Sequence, residues 1–255
     1  MKKKFALCCL MLFYVTNLFA ITEEGFQETY THQVKPFYDA GEFGTFQGAG
    51  GTEIAYARVE APDEKGAIVI LHGMAESMIK YAEVMYDLKD LGYSFYLMDH
   101  RGMGFSGRLL DDPDKIYVKK FDDYVQDVKT FVETVVNEKP HKRLILISHS
   151  MGGCVAARYL EQYPQDFTAA VLSSPMLKIN THEYPQIAAY MLAVLNTSQG
   201  LGSAYVPGDG TYVPDTFVED TVTHSYERWA LWEEGIKNEY PEVRLGGVTY
   251  SWVKQ

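Results

Sequence analysis

The stretch Leu144-Ile145-Leu146-Ile147-Ser148-His149-Ser150-Met151-Gly152-Gly153 constrains this chain more than any other. A four-residue apolar run is too short for a buried helix and reads as an interior parallel strand. It passes directly into Ser-x-Ser-x-Gly-Gly and then into Cys154-Val155-Ala156-Ala157-Arg158-Tyr159-Leu160, a helix-forming composition that stops at Pro164. Strand, sharp turn and helix are the setting in which small-x-Ser-x-Gly becomes a nucleophile elbow. The turn holds Ser150 in a strained backbone conformation, with its hydroxyl at the carboxyl end of the sheet. Residues two before and two after must be small, because strand and helix pass close together. Ser148 and Gly152 meet that demand, with serine standing where glycine is usual. A Gly-rich turn without chemistry is the competing reading of the same residues.

Other segments supply a sheet for this elbow. Thr45-Phe46-Gln47 and residues 52–59 flank Gly48-Ala49-Gly50-Gly51, which predicts an antiparallel hairpin. Ala67-Ile68-Val69-Ile70-Leu71 is a buried strand ending in His72-Gly73-Met74, and residues 93–98 form the next, leading into Asp99-His100-Arg101-Gly102. Between them Tyr81, Ala82, Met85, Leu88 and Leu91 make a helical stripe closed by Gly92. Phe121, Val125, Val128, Val132 and Val135 make a second stripe, with Asp122 and Asp123 near its start, where the helix dipole favours acids. Ala169–Ser174 is the last clear strand. The alternation predicts an α/β fold, a doubly wound and mostly parallel sheet with its sites at the strands' carboxyl ends. Residues 21–42 show no clear period and read as a short helical or irregular lead-in to a core over 21–175. Residues 176–249 carry helical pieces, Ile187–Leu195 and Thr216–Lys237, between Gly/Pro/Asp-rich turns and read as a helical cap, with 250–255 at its end.

The N-terminus has a different character. Met1-Lys2-Lys3-Lys4 precedes an almost uncharged apolar run from Phe5 to Ala20, and Glu23-Glu24 follow. That order describes a secretory signal peptide over residues 1–20, hence an exported, periplasmic or secreted protein. The alternative is an uncleaved anchor in the inner membrane. Removing residues 1–20 takes away three lysines and no acids, moving the net charge from −11 to −14. Only Cys154 then remains, so no intramolecular disulfide forms. Such acidity argues against nucleic acid as a partner and against tight electrostatic docking on anionic membranes, leaving at most peripheral membrane contact. No metal-ligand pattern is present, and neither a metal nor another cofactor is implied.

The chain resembles the α/β-hydrolase family, and within it the bacterial lysophospholipase and monoacylglycerol-lipase branch. The matching pieces are His72-Gly73-Met74-Ala75-Glu76-Ser77, Asp99-His100-Arg101-Gly102-Met103-Gly104-Phe105-Ser106-Gly107-Arg108 and Ser148-His149-Ser150-Met151-Gly152-Gly153. Thr223-His224-Ser225 and Gly246-Gly247-Val248-Thr249-Tyr250-Ser251-Trp252-Val253 add to the likeness. The resemblance implies Ser150 as nucleophile and the backbone amides of Met74 and Met151 as the oxyanion hole. It further implies a serine ester hydrolase cleaving the acyl ester of lysophospholipids or monoacylglycerols through an acyl-serine intermediate.

In this fold the triad runs Ser, then Asp or Glu, then His. Downstream of Ser150 only His182 and His224 occur, both in the expected cap, where they read as surface or packing histidines. His72 and His149 read as residues that fix loop geometry, the Asp99-His100 pair as part of a structural turn, and Cys154 as helix packing. No triad acid or histidine is identifiable. The family has two further core strands after its cap, so the expectation is a truncated hydrolase, impaired or inactive as it stands, with Ala169–Ser174 exposed as a sheet edge. Non-catalytic lipid binding and a non-folding remnant are the alternatives, and a haloperoxidase, peptidase or thioesterase fits the same elbow. Ile187, Met191, Leu192, Leu195, Trp229 and Trp232 either line an acyl pocket or pack the cap on itself.

Overall fold

A computed structural model describes residues 20–181, 184–218 and 223–255. Six strands make one sheet in the order β1-β2-β4-β3-β5-β6. β1 (Glu42–Gln47) and β2 (Glu53–Val59) form the expected hairpin, and β2 runs antiparallel to β4 (Tyr93–Met98). β4, β3 (Gly66–Leu71), β5 (Leu144–His149) and β6 (Ala169–Ser173) are mutually parallel. β6 lies at the edge, and Ala169, Ala170 and Val171 on it are exposed.

The strands are apolar on both sides because helices cover both faces. Ala67, Val69 and Leu71 of β3 face one core, and Ile68 and Ile70 face the other. On the first face lie α3 (Asp122–Thr134), through Val125, Val128 and Phe131, and α4 (Ser150–Gln162), through Met151, Val155 and Tyr159. The opposite face carries α2 (Ala82–Leu88), flanked by the 3₁₀ turns Met78–Tyr81 and Lys89–Leu91 and closed by Gly92 at φ 77°. Beside α2 lies α1, residues 26–39, a longer helix than the lead-in's weak periodicity foretells. A five-residue π turn, Tyr30–Val34, resets its phase, so that Phe26, Tyr30, Val34 and Tyr38 all reach the core.

After β6 come three helices and no further strand among the described residues. α5 (Gln186–Ser198) buries only Ala193, leaving Ile187, Met191, Leu192 and Leu195 exposed. α6 covers residues 226–239, starting ten residues later than the sequence pattern indicates, and it too contains a π turn. Its Trp232 and Ile236 join the core beneath α1 and α2, while Trp229 packs against the rings of Phe217 and Tyr226. α7 (Tyr250–Val253) places Trp252 in the first core. The chain before it is fastened to the loop after β4: Gly246 N–H donates to Asp114 O at 2.8 Å, and Thr249 N–H to Ile116 O at 3.0 Å.

Candidate active site

His149 ends β5 in extended conformation, Ser150 turns to φ 50°, and helix α4 begins at once. A non-glycine residue held there costs about 1–3 kcal/mol, which the surrounding packing must over-determine. The packing is tight. A Cβ on Gly152 would sit 2.5 Å from the Leu71 carbonyl oxygen and closer still to that of His72, and one on Gly153 would sit 2.8 Å from Pro175. Small residues are therefore required at the crossing, as the sequence predicts. The same contact presses the start of α4 against the end of β3, bringing Ser150 and Met151 beside the loop that carries Met74. Met176 N–H closes the other side by donating to Ser150 O at 2.9 Å.

Met151 lies in the first turn of α4, where backbone amides have no intrahelical acceptor and attract negative charge. Met74 sits in the facing loop, and its neighbour Ala75 is also forced to positive φ, 56°. Glu76 pins this loop from within. Its Oε2 accepts from Gly73 N–H at 2.7 Å and Tyr81 Oη at 2.8 Å, and its Oε1 from Lys80 Nζ at 2.6 Å. His149 Nδ1 lies 3.4 Å from the same carboxylate, tying elbow to loop. Burial would raise the Glu76 carboxyl, but His149 and Lys80 outweigh it and hold it well below the usual carboxylate range. The sequence shows Glu76 only as a loop acid. Nothing in the linear order places it against His149.

The buried histidines are committed to the backbone. His72 Nε2 accepts from His100 N–H at 3.0 Å, which leaves its Nδ1 to donate to Gly73 O at 2.7 Å. The 3.3 Å approach of the same Nε2 to Asp99 is therefore no charged pair. His100 Nε2 donates to His72 O at 3.1 Å, and burial pushes its pKa well down. Asp99 takes Met78 N–H at 2.6 Å and Phe105 N–H at 2.7 Å, fixing two loops at once. His224 is exposed, and His182 lies outside the described residues. Cys154 lies one helical turn beyond Ser150 on α4, its thiol pushed up by burial. It lines an open cavity of about 600 Å³ with Phe121, Met176, Leu177 and Trp252, at which Lys120 and Lys178 also stand. Among the described residues no cluster of three or more His, Cys, Asp or Glu could hold a metal, and no helix is long and apolar enough to cross a membrane.

The chain is similar to several known proteins. Residues 62–206 match the family described as serine aminopeptidase, S33. The chain is 33% identical over 210 residues to lysophospholipase L2 of Escherichia coli K12, a match covering 82% of this chain and 62% of that protein. It is 31% identical over 234 residues to the probable lysophospholipase L2 of Haemophilus influenzae, covering 89% and 73% respectively. A soluble variant of monoglyceride lipase from Saccharomyces cerevisiae superposes with a TM-score of 0.58 at 18% identity, over 84% of this chain and 65% of that one. The chain thus spans under two thirds of the length of its Escherichia coli relative. With the elbow, the facing loop and a match across more than half its length, the chain belongs to the serine aminopeptidase, S33, family of α/β-hydrolases.

Proposed function

We propose that this chain is a serine ester hydrolase of lysophospholipase type. The Ser150 hydroxyl adds to the acyl carbonyl of a lysophospholipid or monoacylglycerol while the amides of Met74 and Met151 receive the developing oxyanion; the ester C–O bond then breaks, the serine proton leaves on the glycerol oxygen, and one water cleaves acyl-Ser150 to the fatty acid and the free hydroxyl. The observation that carries this reading is the strained Ser150, at φ 50°, between β5 and α4 and against the Met74 loop. Support from elsewhere comes from the relatives named as lysophospholipases. Residues 176–249 act as the cap over this site. Residues 1–20 act as an export leader, which places the hydrolase outside the cytoplasm, where it meets lipid as a peripheral protein.

The test is labelling with a fluorophosphonate probe, followed by release of fatty acid from lysophosphatidylcholine and from a monoacylglycerol. Probe on Ser150, lost in Ser150→Ala, with turnover of one substrate class, is the expected result. Folded protein that takes no probe and releases no fatty acid overturns the catalytic reading. Saturable lysolipid binding that survives Ser150→Ala would then make it a lipid-binding protein.

A further inference from the structure

Both backbone polar atoms of Ile21 are held by the folded protein. Its nitrogen lies 3.3 Å from Asp87 Oδ1 on α2, and its carbonyl accepts from Arg228 Nη2 on α6 at 2.8 Å. The Ile21 side chain packs on the core shared by α1, α2 and α6. The residue before it, Ala20, is exposed and ends the apolar run that follows Met1-Lys2-Lys3-Lys4.

The charges at this corner do not balance. Glu23, Glu83 and Asp87 converge on it, and Arg228 is shared between two of them. It donates to Glu83 at 2.5 and 3.0 Å, pairs with Glu23, and lies over the Phe26 ring. Asp87 has no cation within ion-pair distance among the described residues: Arg228 goes to Glu83 and Glu23, and Lys89, in the turn after α2, pairs with Asp90 at 3.2 Å. Burial, followed by Glu83 one helical turn earlier, pushes the Asp87 carboxyl up, so the site as it stands disfavours the charge it carries. A cation is wanted at the place where the Ile21 nitrogen already sits.

We propose that the chain is cut between Ala20 and Ile21, and that the α-ammonium so formed docks on Asp87, completing the Glu23–Glu83–Asp87–Arg228 cluster and locking α6 to the core. The cut is a peptide hydrolysis by a leader peptidase. One water is consumed, Ala20 leaves as the carboxylate of the leader, and the Ile21 nitrogen takes up a proton. The reading rests on residues 1–20 being an export leader and is independent of whether Ser150 is catalytic.

The full chain is expressed in a bacterium with an export pathway, and the purified product is weighed intact; a mass corresponding to residues 21–255 is expected. Protein beginning at Ile21 is then compared with protein beginning at Leu18, each with Asp87 and with Asp87→Asn. Asp87→Asn should lower Tm by about 2–4 °C only in the chain that begins at Ile21. In that chain an acylating reagent should modify the terminal amine about tenfold more slowly at pH 7 when Asp87 is present than in the Asp87→Asn variant, because the ion pair raises an amine whose ordinary pKa is about 8. A retained leader, a terminus elsewhere, an equal Tm loss in both chains or equal acylation rates each overturn the proposal. Loss of ester hydrolysis with these results intact would strike only the catalytic reading.

Discussion

Glu76 Oε2 accepts the Gly73 N–H at 2.7 Å, so a buried carboxylate sets the shape of the loop that carries Met74. The same oxygen lies 3.4 Å from His149 Nδ1, one residue before Ser150. Loop and elbow are therefore positioned by a single side chain.

Glu76→Gln should lower stability at pH 7 by about 2 kcal/mol, the scale for hydrogen bonds to a charged group. It should also change the pH profile. A carboxyl held below its unfolded value stabilises the fold above that value, and the contribution fades as pH falls through the folded pKa. Wild-type stability should thus decline below about pH 4.5, and the glutamine variant should decline less over the same range. Chemical denaturation at a series of pH values measures both, and parallel profiles would remove the carboxylate from this role.

Ser150→Gly should abolish probe labelling while raising stability by about 1 kcal/mol, because glycine adopts φ 50° without the Cβ penalty. Ser150→Ala should abolish labelling without that gain. Thermal melts of the two variants side by side make the comparison, and an alanine variant as stable as the glycine one would mean the turn is unstrained.

Gly152→Ala should cost about 1–3 kcal/mol and slow any Ser150 chemistry, since its new methyl meets backbone oxygens that cannot rotate away. Gly235→Ala is the control. Its methyl would meet nothing nearer than 3.6 Å, in the flexible Leu231 side chain, so helix propensity should stabilise the protein by up to about 1 kcal/mol. Opposite signs in urea denaturation are expected.

Arg101→Met should destabilise by about 3–5 kcal/mol, because it strands Asp127, a fully buried carboxylate. Arg101 Nε and Nη2 each donate to Asp127 at 2.6 Å, and the pair also holds Ala49 in the β1–β2 turn through bonds of 2.8 and 2.9 Å. The double variant Arg101→Met, Asp127→Leu should recover part of the loss. A double variant no better than the single one would place the energy in the turn instead of the ion pair.

What could be read in the linear order was what repeats locally. The apolar run at Leu144–Ile147, the stripes at Tyr81–Leu91 and Phe121–Val135 and the glycines of the hairpin each declare an element, because strand and helix periods are properties of a few neighbouring residues. Ser150 was legible for the same reason: the demand for small residues at Ser148 and Gly152 comes from a turn five residues long. α1 was hidden because a π turn breaks its period. The start of α6 is not written in its local pattern, because packing of Trp232 and Ile236 on the core, more than propensity, sets where that helix lies.

The sequence by itself determined the parallel core, the elbow and its serine, since each depends on contacts within one strand–turn–helix unit. Only the tertiary structure decided that Glu76 meets His149 across 73 residues, that Asp127 buries with Arg101, and that Arg228 of the last long helix reaches back to Glu23 and Glu83. Charges gain their partners only after the chain has closed over them. Their roles depend on distance in space and on the low dielectric that burial creates, and neither is written in any local pattern.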